Sequence, residues 1–101
     1  MARVSWTTRI HEQTIRQSAP LLGSVLGLHM QARPSREGII VLREGGPHLS
    51  AGQKGVTVWL RWDDERSALC HLDVCSEEKD HLESTRCWEV ALQLRRLLSD
   101  G

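Results

Sequence analysis

At 101 residues the chain is long enough for one hydrophobic core without disulfide or metal staples, and too short for two, so a single domain over residues 1–101 is expected. Thirteen cations balance thirteen anions, so no global charge draws the chain to nucleic acid or to an acidic membrane. No apolar run approaches the ~20 residues of a membrane span, the three cysteines have no disulfide-framework spacing, and MARVSWTTRI holds no signal-peptide core, which together point to a reduced, cytoplasmic protein.

Phe and Tyr are absent while four Trp are present, so the core must be built from Leu, Val, Ile and Trp. After a short lead, Ser5 to Thr8 offers N-cap residues, and Ile10, Thr14, Ser18, Leu21, Leu22, Val25 and Leu26 fall on one side of a 3.6-residue repeat. A first helix is expected there, either one kinked helix or two short ones at Pro20, which projects to the solvent side, with Gly27 as the C-terminal cap. Leu28, Met30 and Ala32 alternate with polar residues as a weak strand. Ile39 to Leu42 is a continuous apolar run that must be covered on both faces or leave one of them sticky.

The most legible stretch is Gly55 to Cys75. Val56, Val58, Leu60 and Trp62 alternate with Thr57, Trp59 and Arg61, and Ala68, Cys70, Leu72 and Val74 alternate with Leu69, His71, Asp73 and Cys75. A symmetric loop at Asp63 to Ser67 sets Trp62 opposite Ala68, Leu60 opposite Cys70 and Val58 opposite Leu72, so the two apolar sets coincide. The other face then carries Trp59, Arg61, Leu69 and His71. Ser76 reads as the cap of a last helix, with Glu77, Glu78 and Asp80 at its positive end and Arg95 and Arg96 at its negative end. Cys87, Val90, Ala91, Leu94, Leu97 and Leu98 form its apolar stripe, with Trp88 flanking.

The fold class that follows is α+β, a two-layer sandwich in the order α-β-β-β-β-α, with an antiparallel meander sheet and both helices on one face.

No catalytic, cofactor or metal motif withstands a geometric test. His71 and Cys75 share a strand face but stand about 13 Å apart at strand rise, far beyond the separation of donors around one zinc ion, and Cys70 points the other way. The loop 45–55 lacks the glycine and lysine positions of a phosphate-binding loop and leads into a strand. Cys75 near His81 has no oxyanion loop to support a nucleophilic role. A non-enzymatic protein-interaction module, an adaptor, inhibitor, immunity protein or chaperone acting as a homodimer or in a heteromeric complex, is therefore expected. Its contact residues would be Ile40, Leu42, Trp59, Arg61, Leu69 and His71, since Trp and Arg anchor interfaces. The alternative is nucleic-acid binding through Arg33, Arg36, Arg43, His48 and Lys54 along a sheet edge and the Gly-rich loop. The acidic turn Glu77 to Asp80 and the balanced charge speak against it. Neither a metal nor a membrane is expected as a partner.

Overall fold

Alternation of apolar and polar residues drives the sheet, and the helices close its apolar side. The computed structural model describes residues 2–31, 38–45, 55–63, 68–77, 81–82 and 85–98. The elements in order are β1 (Ala2–Arg9), α1 (Glu12–Leu26), β2 (Leu28–Met30), β3 (Ile39–Glu44), β4 (Thr57–Trp62), β5 (Leu69–Ser76) and α2 (Arg86–Leu97). The strands form one antiparallel sheet in the order β1-β5-β4-β3-β2, and the two-layer α+β architecture expected from the pattern is present.

One strand more than expected is found. Residues 2–9 had the look of a lead into the first helix, but they form β1, which pairs with β5 along its whole length from Ala2↔Ser76 to Arg9↔Leu69. The Ser and Thr residues that resembled caps are strand residues in a half-polar edge. The chain then crosses the sheet as α1 to reach β2 at the opposite edge, and α1 packs against β2 while α2 packs against β1 and β5.

In the central hairpin β4 pairs with β5 as Trp62↔Cys70, Leu60↔Leu72 and Val58↔Val74. Each residue therefore meets a partner two positions beyond the one that a symmetric loop predicts. An even shift leaves every side chain on its face, so the apolar pattern cannot distinguish the two registers. The core face reads Val58, Leu60 and Trp62 on β4, Cys70, Leu72 and Val74 on β5, Ile40 and Leu42 on β3, and Leu28 on β2, all buried. Against it lie Ile15, Leu22 and Leu26 of α1 and Cys87, Val90, Ala91 and Leu94 of α2.

α1 is one helix through Pro20, which is exposed as expected. Its buried stripe differs from the expected one: Ile15 is fully buried, while Leu21 and Val25 are 54% and 53% exposed. Gly27 ends α1 at φ 69°, ψ 19°, the left-handed conformation that suits a glycine cap, and its N–H bonds back to Gly23 and Leu22. Gly38 also has positive φ, at 82°. Its N–H donates to Glu12 Oε1 at 2.7 Å and its carbonyl accepts from Trp62 N at 2.8 Å, so the start of α1 is tied to the start of β3 and the end of β4. Trp62 closes the same corner by donating its indole Nε1–H to the Ile10 carbonyl at 2.7 Å.

The expected cap at Ser76 is corrected as well. Ser76 is the last residue of β5, and α2 begins ten residues later, with Thr85 Oγ1 accepting from Trp88 N at 3.1 Å. The apolar stripe of α2 is as expected except for Leu97, which is 43% exposed. Across the sheet, Arg86 at the start of α2 bonds the buried Glu44 at the end of β3 through Nε at 2.8 Å and Nη2 at 2.6 Å. Arg95 of α2 lies over the Trp6 ring, 5.9 Å from its centroid. Among the described residues no helix is long and apolar enough to cross a membrane.

Candidate contact surface on the outer sheet face

Both helices lie on one side, so the alternate residues of every strand face outward. The registers stack them into rows: Ser5, Asp73, Trp59 and Val41 in one, Thr7, His71, Arg61 and Ile39 in the next. A depression of about 540 Å³ opens along these rows over β1, β5 and β4. Arg3, Ser5, Thr7, Trp59, Arg61, His71 and Asp73 line it, and it reaches down to Trp6 and Leu72. Trp59 is 43% exposed at its margin, and Leu69 at the end of β5 is 41% exposed.

The polar groups on this face fall into two sets. Asp73 is held from one side: Arg3 Nε donates to Oδ1 at 2.7 Å, Arg3 Nη2 bonds Oδ2, and Ser5 Oγ donates to Oδ1 at 2.8 Å. The Arg3 hydrogen bond depresses the Asp73 pKa below the ordinary carboxylate range, with Ser5 assisting and burial opposing. His71 Nε2 lies 2.9 Å from Asp63 Oδ2. The second set is cationic and unmatched. The side chain of Arg61, exposed in the middle of the face, has no hydrogen bond or ion pair among the described residues, and the same holds for the side chains of Arg9 and Arg43.

Cys75 also lies on this face, with its Sγ 3.7 Å from the Thr57 carbonyl. Burial and the nearby Asp73 charge raise its pKa, the opposite of what an activated thiolate requires. Cys70 and Cys87 are buried free thiols in the core. Among the described residues no group of three or more His, Cys, Asp or Glu is placed to hold a metal ion.

Of the six contact residues expected from the sequence, Trp59, Arg61, Leu69 and His71 share the outer face. Ile40 and Leu42 do not. They pair with Leu60 and Val58, point into the core and are 2% and 1% exposed. Ile39 and Val41 take the outer positions. The run Ile39 to Leu42 is apolar on both faces, so alternation could not assign its sides; only the pairing with β4 does. Arg43 is exposed on the outer face beside Thr57, while Arg33, Arg36, His48 and Lys54 lie outside the described residues. Arg3, Ser5, Thr7 and Asp73 were not anticipated as a set, because they meet only once β1 is recognised as a strand. The alternation of Val4, Trp6 and Thr8 with Arg3, Ser5, Thr7 and Arg9 was the available signal.

The fold and the face define a small α+β domain with a helix-covered side and an outer side on which Trp59 and Arg61 are exposed while Val41 is buried. In comparisons with known proteins, no family model, no curated sequence and no solved structure matches the chain.

Proposed function

We propose that the chain is a non-enzymatic protein-interaction module, working as an adaptor, inhibitor, immunity protein or chaperone in a reduced, cytoplasmic setting, and that the outer sheet face is its contact surface. The observation that carries this reading is Trp59, 43% exposed at the margin of a depression next to an arginine with no described partner. Tryptophan and arginine are the residues that most often anchor interfaces, and large apolar side chains set in concave polar surroundings are the usual form of a contact centre. Association takes place through this face, either between two copies or with a different protein.

Light scattering on the reduced protein at micromolar concentration separates the two cases. A mass near twice 11.4 kDa that Trp59→Glu returns to the monomer marks a homodimer; a monomeric parent that binds a second protein and loses it on Trp59→Glu marks a heteromer. Association unaffected by Trp59→Glu refutes the reading. Arg43 and Arg61 on the same face as the exposed Trp59 favour a second reading, single-stranded nucleic acid stacked on the indole. It requires an affinity that falls steeply with salt, and no mobility shift at low salt removes it.

A further inference from the structure

Resting on the reading of the outer face as a contact surface, we infer that its occupant is an acidic segment of another protein, with a carboxylate seated on Arg61 and a neighbouring apolar side chain laid on Trp59. The charge of the face selects this occupant. The described outer face and its rim carry Arg3, Arg9, Arg43 and Arg61 against Asp63, Asp73 and Glu77. Asp73 is engaged by Arg3, and Asp63 faces His71. With histidine neutral, as in the zero net charge of the whole chain, four cations stand against three anions, and Arg9, Arg43 and Arg61 have no ion-pair partner among the described residues.

Geometry adds the centre of the site. Arg61 sits on β4, the middle strand of the five, two residues from Trp59 on the same face, and both line the same depression. A guanidinium presents a planar fork of donors that matches a carboxylate, and an adjacent indole offers the apolar surface on which a side chain of the same segment can pack. The hydroxyls of Ser5 and Thr7 line the opposite wall. A second copy docked face to face would bring the uncancelled arginines of each copy against those of the other. A nucleic acid would place a continuous polyanion over Asp73 and Asp63, with Trp59 as the exposed aromatic ring among the described outer-face residues.

The test uses a random copolymer of glutamate and tyrosine as probe, with poly-glutamate and a single-stranded oligothymidylate beside it, read by fluorescence anisotropy between about 20 and about 200 mM salt. The copolymer binds the parent more tightly than either comparison polymer, and Arg61→Glu and Trp59→Glu each weaken it about tenfold or more. Arg61→Leu weakens it less than Arg61→Glu, and Leu21→Glu, on the exposed side of α1, leaves it unchanged. Unfolding midpoints of all variants are measured in parallel, so that a misfolded variant is recognised and its conservative counterpart is used. The inference is overturned if the copolymer fails to bind at low salt, if Arg61→Glu binds as well as the parent, or if oligothymidylate binds more tightly. A parent of doubled mass that Trp59→Glu makes monomeric also overturns it, while leaving the contact-face reading intact. Loss of all association only in Leu21→Glu overturns both.

Discussion

Arg86 occupies the first turn of α2, where the helix dipole disfavours a cation; the structure gives the reason in Glu44. The Glu44 side chain is fully buried, its Oε2 accepts from Arg86 Nε and Nη2, and its Oε1 is buried without a hydrogen-bond partner among the described residues. Arg86→Met removes the counter-charge and strands a carboxylate in the core. Breaking a buried pair costs about 3–5 kcal/mol, but the Arg86 side chain is 28% exposed, which lowers the figure. A loss of about 2–4 kcal/mol is therefore expected. The double variant Glu44→Met, Arg86→Met should recover most of the loss. Urea unfolding followed by tryptophan fluorescence measures both. A loss below about 1 kcal/mol would refute the claim that this pair anchors α2 to β3.

Other consequences are as direct. Burial pushes the Cys70 thiol up to about 12, and Cys87 is equally enclosed, whereas Cys75 is half-buried on the outer face; a thiol reagent at pH 8 should modify Cys75 first and the other two only on unfolding, and uniform rates would contradict the burial pattern. Asp73, with its folded pKa depressed by Arg3, contributes stability above its unfolded value near ~3.9 that is lost as pH falls through the lowered folded value. Arg3→Gln should raise the Asp73 titration midpoint, read from its carboxyl carbon shift, and an unmoved midpoint would show that the ion pair is not formed in solution. Gly38→Ala places a Cβ 3.1 Å from the Trp62 carbonyl at φ 82° and should cost about 1–2 kcal/mol; equal stability by urea unfolding would mean that the β3 start relaxes.

What the sequence made legible was the side on which a residue lies wherever a strand alternates cleanly. Period alone places Trp59, Arg61, Leu69 and His71 on one face and Val58, Leu60, Trp62 and Leu72 on the other, and the folded sheet has the same division. The two-residue error in the hairpin register and the reversed sides of Ile39 to Leu42 come from the same source: pairing depends on distant contacts, and neither an even shift nor an all-apolar run leaves a trace in the local pattern. Missing β1 had further effects. Ser76 looked like a helix cap because its partner Ala2 was unknown, and the first helix was started too early, which rotated its stripe so that Leu21 and Val25 appeared buried while Ile15 did not. Which side of α1 is covered is decided by its crossing from the β1 edge to the β2 edge, a property of topology.

The central proposal is that the outer sheet face, and not the helical side, makes the contact. Trp59 and Leu21 offer a matched pair, both large apolar residues, 43% and 54% exposed, on opposite sides of the molecule. Covering the remaining ~100 Å² of Trp59 is worth about 2.5 kcal/mol. The measurement is the association of parent, Trp59→Glu and Leu21→Glu at equal concentration, with self-association read as mass by light scattering and partner binding as affinity for the glutamate–tyrosine copolymer. Trp59→Glu is expected to weaken association more than tenfold with its unfolding midpoint unchanged, while Leu21→Glu behaves as the parent does. Association that survives Trp59→Glu and is lost in Leu21→Glu would place the contact on the helices and contradict it.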